Sequence, residues 1–298
     1  MLTNPDFNPE QPALTTPVHY PDIDPVIVAL GPLAVRWYGL AYLIGFALCW
    51  MLGQWRARRP NLRRPGDDWD PEEIGDLVFY GAMGAVLGGR VGYVLFYAFD
   101  QFLADPLFLL RIWQGGMAFH GGLLGALIGL WLFARSTGRS LFQVTDFLCP
   151  LAPPGLGLGR LGNFANTELP GRATDSAFGL VYPCSADAVR ALNPLCTGQW
   201  ESFARHPSPL YQAFAEGVIL FVVVWIFARK PRSLGAVTGV FLMTYGLLRM
   251  GTEFFREPDA HLGFIFLEAV SMGQLLSLPM VLLGLLLLWR PGRKASAT

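Results

Sequence analysis

The chain has 298 residues, 53% hydrophobic and 15% charged, with 22 basic and 22 acidic side chains and a mean hydropathy of +0.40. Soluble domains carry about 25% charged residues, so this composition excludes an ordinary soluble globule, and the zero net charge argues against a nucleic-acid partner. The four cysteines and four histidines show no zinc-type spacing, so neither a metal nor another cofactor is expected.

The first 25 residues have no basic start and no apolar stretch, and read as a polar lead-in rather than a cleaved signal peptide. Seven apolar segments follow, at roughly 34–54, 74–98, 115–134, 141–163, 209–228, 234–256 and 267–289. Each approaches the roughly 20 helical residues that cross a bilayer core. They are too long for barrel strands and lack two-residue alternation, so helices are expected. The predicted fold is an all-α polytopic membrane protein: one integral membrane domain over 1–298 with seven transmembrane helices. Residues 164–207 form a small head between helices four and five.

Thirteen Arg and Lys residues fall in the first, third and fifth loops and the C-terminal tail, against six on the other side. Basic loops stay in the cytoplasm. The N-terminus and the head are therefore expected outside and the C-terminus inside.

The three remaining basic residues, Arg90, Arg160 and Arg249, lie inside predicted spans. An arginine near the bilayer centre costs from about 2.5 to more than 10 kcal/mol, so each is expected to face a polar cavity or a ligand. The topology places all three, with Tyr38, His120, Asn163 and Glu168, toward the outer ends of their helices. A polar cavity beneath the outer surface is predicted there. Arginine cannot act as a base, but its planar fork of donors grips phosphate, which points to a phospholipid headgroup.

Structural readings stand beside these. Arg160 could pair with Glu168 or Glu253. Tyr245, Arg249 and Glu253 are spaced by four and share one helix face, so Arg249, Glu253 and Arg256 could form an ion-pair ladder. His120 could be a hydrogen-bonded structural histidine, and Tyr38 an interfacial anchor. The shared Gly-Arg-X-Gly of "GGRVGY" (88–93) and "LGRLGN" (158–163) reads as helix-packing chemistry, not a repeat.

Six stretches considered together resemble one family: "RWYGLAYLIGF" (36–46), "GGRVGYVLFY" (88–97), "GGMAFHGGLLG" (115–125), "GRLGNFANTELPGR" (159–172), "RHPSPLYQAFAEG" (205–217) and "YGLLRMGTEFFREPD" (245–259). The chain resembles the prolipoprotein diacylglyceryl transferases of the bacterial inner membrane over nearly its whole length. It departs at Pro170, where a bulky aromatic is common, and over 173–204. The resemblance implies transfer of the sn-1,2-diacylglyceryl group of phosphatidylglycerol to the lipobox cysteine thiol of a prolipoprotein signal peptide, with release of glycerol 1-phosphate. It also implies a multi-pass inner-membrane transferase with a periplasmic N-terminus and head and a cytoplasmic C-terminus. The family's essential pair matches Arg160 and Arg249, and its other functional positions match Tyr38, His120, Asn163, Asn166, Glu168, Gly171, Tyr245 and Glu253. Of these, Arg160, Arg249, His120 and Tyr38 are expected to be catalytic. Arg160, Arg249, Asn163, Asn166, Glu168, Gly171, Tyr245 and Glu253 are expected to bind substrate.

Two competing classes predict other features. A transporter or flippase would show inverted repeats and helices broken near the midplane, and neither is found. A lipid hydrolase would use His120 and water. In an oxidising periplasm, Cys184 and Cys196 of the head are expected to form a disulfide, whereas Cys49 and Cys149 lie in spans as packing residues.

Overall fold

A computed structural model of the chain describes residues 18–21, 23–30, 33–257, 264–266 and 270–289. Most of the polar lead-in, the start of the seventh predicted span and the basic residues Arg290, Arg293 and Lys294 lie outside the described residues.

All seven predicted apolar segments are helical, but not all as single rods. The strand pair β2 (Val26–Leu30) and β3 (Leu33–Arg36) leads into α1 (Trp37–Ala57), following the short strand β1 (Val18–His19). At 1.5 Å per residue α1 is about 31 Å long. Next come α2 (Glu73–Tyr97), a short helix α3 (Phe99–Ala104) and α4 (Phe119–Ser136). The fourth predicted span is two helices, α5 (Leu141–Leu148) and α6 (Pro153–Ala165). Pro153 and Pro154 open α6 at its first turn, where a missing N–H costs nothing, but neither can continue a helix from before it.

The head holds β4 (Leu180–Val181) and α7 (Asp187–Leu192). The fifth segment runs as α8 (Ser208–Gln212), a π-helical stretch over Ala213–Ile219 and α9 (Leu220–Phe227). Then follow α10 (Ala236–Glu253), the strands β5 (Phe264–Phe266) and β6 (Val270–Ser271), and α11 (Met272–Trp289). The expectation of purely helical structure is thus corrected by small two-stranded sheets at the helix ends. Each is too short to cross a bilayer.

Four helical runs are long and apolar enough to span a membrane: Glu73–Tyr97, Phe119–Ser136, Ser208–Phe227 and Met272–Trp289. Leu43, Phe96, Leu247 and Leu282 are more than half exposed, as befits helices whose outer faces meet lipid rather than water. Helices cannot gain much by hiding leucine from lipid, so close backbone packing holds them together. Gly84, Gly88 and Gly92 of α2 interlock with Gly121, Gly125 and Gly129 of α4, and a methyl group added at Gly125 would lie 2.1 Å from the Gly84 carbonyl oxygen.

The head is built on residues distant in sequence. β1 pairs in parallel with β4. Tyr20, Tyr182 and Val189 form its buried core, with Phe164 and Trp200 against them. The lead-in therefore contributes Val18–Tyr20 to the head, which the sequence placed only at 164–207. Cys184 and Cys196 are joined, with Cα atoms 5.4 Å apart, and close a short loop around α7. A loop of this size contributes about 3 kcal/mol. Thiol titration of the unfolded, unreduced protein is expected to find Cys49 and Cys149 alone, and after reduction all four cysteines. Four thiols before reduction would contradict the bridge.

Candidate active site

The site is organised by a residue that sequence reasoning did not single out. Glu216 sits in the π-helical stretch with its side chain 1% exposed. π-bulges recur at functional sites because they re-aim side chains. Here Ser208, Gln212 and Glu216 all end up fully buried. Arg160 Nε donates to Glu216 Oε2 at 2.9 Å, and Arg249 Nη1 lies 3.8 Å from Glu216 Oε1. One carboxylate therefore stands between the two arginines.

The approach of α6 to the π-helical stretch makes this pairing possible. Gly157 and Gly217 meet face to face, and a Cβ on either would be 2.8 Å from the other's Cα. Any side chain there would push Arg160 away from Glu216. Glu216 is the only acidic residue in the fifth apolar segment. That is a usable signal in the sequence, because an ionisable group inside a span marks a site.

On α10 the predicted face is realised. Tyr245 lies within hydrogen-bonding reach of Arg160. Arg249 Nη2 lies 2.9 Å from Glu253 Oε2, and Arg256 Nη1 lies 4.0 Å from Glu253 Oε1. The Arg249–Glu253–Arg256 ladder exists, and it is joined to Arg160 through Glu216. The structural alternative for Arg160 is not realised: its carboxylate partner is Glu216, not Glu168 or Glu253. Gly273 of α11 admits the Glu253 carboxylate, whose atoms would lie 2.8 Å from an added methyl group.

Glu168 is held by amides instead. Asn163 Nδ2 donates to its Oε2 at 2.6 Å and Asn166 Nδ2 to its Oε1 at 3.1 Å. Thr167 and Leu169 on either side have positive φ, a conformation that costs energy in non-glycine residues. The asparagine pair and the strained turn together fix the carboxylate beside the end of α6. Tyr38 packs its ring on Gly162, where a Cβ would lie 2.8 Å from its Cδ2, and its hydroxyl lies 3.0 Å from that of Tyr42. Arg160 and Glu168 both lie close enough to act on it electrostatically.

Gly171 has a packing reason. Its N–H donates to the His206 carbonyl at 2.9 Å, and a methyl group there would come within 2.4 Å of that oxygen and 2.5 Å of the Phe255 oxygen. The next residue, Arg172, bonds the carbonyl oxygens of Phe255 and Arg256. This seam ties the turn carrying Glu168 to the end of α10.

Two predicted members stand apart. Arg90 is buried and donates to the carbonyl oxygens of Phe108, Leu109, Gly115 and Gly116. It organises the segment between α3 and α4 and does not join the other arginines, which corrects the expectation of one shared cavity. His120, in the first turn of α4, is exposed and touches Phe119 edge-on. Among the described residues it has no hydrogen-bond or ion-pair partner, so it is not the hydrogen-bonded structural histidine that was the alternative. Helix α4 packs chiefly on α2 and α5, not on α6 or α10.

The arrangement is therefore three cations, Arg160, Arg249 and Arg256, around two buried carboxylates, Glu216 and Glu253. Arg160 uses one of its five donors on Glu216 and meets the Tyr245 hydroxyl with another, which leaves part of its fork free. Its side chain is 22% exposed, so the rest of the fork can reach an anion entering from outside the bundle.

The family model for prolipoprotein diacylglyceryl transferase matches residues 25–290. The chain belongs to that family. It is 52% identical over 268 residues to the phosphatidylglycerol–prolipoprotein diacylglyceryl transferase of Chromohalobacter salexigens, covering 90% of this chain and 92% of the relative. It is 49% identical over 282 residues to the protein of the same name from Cupriavidus necator, covering 93% and 97%. It is also 50% identical over 279 residues to that from Solidesulfovibrio magneticus, covering 93% and 98%. As a member of the diacylglyceryl transferase family, the chain carries its Arg160–Glu216–Arg249 cluster well inside the matched residues.

Proposed function

We propose that this transferase moves the sn-1,2-diacylglyceryl group of phosphatidylglycerol to the lipobox cysteine thiol of prolipoproteins, the first step of lipoprotein maturation. The observation that carries this reading is the pair of guanidiniums, Arg160 and Arg249, braced on Glu216 in a chain that matches the family over residues 25–290.

The thiol sulfur attacks the glyceryl carbon that bears the phosphate, and a C–S bond replaces the C–O bond. The electron pair of the broken bond leaves on glycerol 1-phosphate, and the thiol proton passes to a base. The diester carries one negative charge and the departing monoester gains a second. The guanidinium forks meet the developing charge, and stabilisation that grows along the reaction is what lowers a barrier. The amide-held Glu168 and the phenol of Tyr38 flank Arg160 and position the headgroup. A free thiol has a pKa of about 8.5, so little thiolate exists at neutral pH. Either a base such as His120, or the field of the arginines lowering the pKa of the thiol, supplies the thiolate.

We further propose seven membrane spans in a bacterial inner membrane, with the N-terminus and head in the periplasm and the C-terminus in the cytoplasm. Seven helical segments support this, the fourth made of α5 and α6 together. Helices α6 and α10 turn their charged side chains into the buried ionic cluster while α10 keeps Leu247 on its outer face.

Purified protein supplied with phosphatidylglycerol and a lipobox peptide is expected to yield the thioether-linked product and glycerol 1-phosphate. Free diacylglycerol would indicate a hydrolase, and no product would reject the transfer. His120→Asn is expected to fold normally and to lose at least about tenfold in turnover at neutral pH, with partial recovery as rising pH ionises the thiol by itself. A pH–rate profile parallel to wild type would leave His120 a positioning role only.

A further inference from the structure

A second cationic site lies at the other end of the bundle. Tyr38 and Arg56 mark the two ends of α1, 18 residues or about 27 Å apart along its axis. Around Arg56 a shallow cleft, whose enclosed volume is only about 30 Å³, opens to solvent and is lined by Arg56, Arg63, Arg64, Lys230 and Arg232. Asp67 and Asp146 also line it, so five cations stand against two carboxylates. Asp146 caps α10, accepting from the N–H groups of Gly235 and Thr238 at 2.7 and 2.8 Å. Asp67 accepts from Gln143.

None of the five cations has a carboxylate within 4.0 Å among the described residues. Arg56 and Arg63 are 5% and 9% exposed. Their terminal nitrogens bond backbone carbonyls of Ala228 and Leu62, and of Asp67 and Ala57. Carbonyl dipoles satisfy donors but do not neutralise charge. In each of these two arginines the Nε is buried with no hydrogen-bond partner. Loop charges that only orient a protein in the membrane have no need to be buried, still less two in one cleft, because a buried cation with no carboxylate in contact is costly.

We propose that this cleft binds the phosphate group of an anionic ligand, supplied either by the headgroup of an anionic lipid or by a free phosphate anion. Its enclosed part is narrow, so the phosphate sits at the mouth with its oxygens toward Arg56 and Arg63, and the exposed Lys230 and Arg232 close over it. Basic pockets between helix ends on the cytoplasmic side recognise lipid headgroups in this manner. The site is separate from the Arg160 cluster and does not depend on the reaction proposed there.

The test uses the full chain in phosphatidylcholine nanodiscs. One arm adds phosphatidylserine to the bilayer, a second adds inorganic phosphate, and the thermal midpoint is followed in each. Wild type is expected to be stabilised in a saturable way. Lys230→Gln combined with Arg232→Gln changes only exposed side chains and is expected to keep the anion-free midpoint while weakening apparent affinity about tenfold or more. Arg63→Gln is expected to weaken it similarly. Stabilisation by phosphatidylserine alone supports the site and assigns the lipid as source, and stabilisation by phosphate as well assigns the free anion. No stabilisation by either probe, or equal affinity in wild type and the double variant, overturns the proposal.

Discussion

Arg160→Ala is expected to lower diacylglyceryl transfer by about 10²–10³-fold, the usual cost of removing one donor aimed at developing charge. The structure shows that this variant mixes two effects. It also strands Glu216, whose side chain is 1% exposed and whose other arginine is 3.8 Å away. Two companions separate chemistry from stability. Arg160→Lys keeps the charge and loses the planar fork, so it is expected to reach the membrane at the normal level with clearly reduced turnover. Arg160→Gln combined with Glu216→Gln removes opposite charges together. Replacing a whole buried ion pair by neutral groups is far milder than breaking it, so the double variant is expected near wild-type thermal stability but still at least about 10²-fold slow. A stable double variant with near-normal turnover would sink the phosphate role of Arg160.

Glu216→Gln alone is expected to have the largest effect on stability. It leaves Arg160 and Arg249 close together without their shared counter-charge, and breaking a buried ion pair from one side costs about 3–5 kcal/mol. The membrane level and the thermal midpoint should both fall. Turnover of the surviving folded fraction should fall as well, because the guanidiniums lose the brace that sets their separation. Restoring the balance with Arg160→Gln should recover the midpoint but not the turnover. If Glu216→Gln were as stable and as active as wild type, the carboxylate would have no part in organising the site.

Much of the fold was legible because it is periodic and local. Apolar runs of about 20 residues become helices wherever lipid removes water from the backbone, and all seven segments are helical. The breaks inside them were less legible. Pro150, Pro153 and Pro154 announced an interruption between α5 and α6, yet the overall apolarity of 141–163 suggested one rod. The π-helical stretch over Ala213–Ile219 has no signal of that kind, since its extra residue is a response to packing against α6. The members of the site on single helices, Tyr245, Arg249 and Glu253, were readable from spacing by four.

The amino-acid sequence by itself determined that this is a helical membrane protein, that arginines stand in apolar segments, and, through its motifs, which family it belongs to. These follow from composition, period and local pattern, which need no knowledge of which segments meet. Only the tertiary structure decided the pairings. Arg160 bonds Glu216, 56 residues away, while Glu168 near Arg160 in sequence is taken by Asn163 and Asn166. Arg90, from the same Gly-Arg-X-Gly pattern as Arg160, is spent on backbone carbonyls. A guanidinium in a dry interior takes whichever acceptor the packed helices bring to it. Here that choice was made by glycines: Gly157 against Gly217 lets α6 approach the π-helical stretch closely enough for Glu216 to reach Arg160.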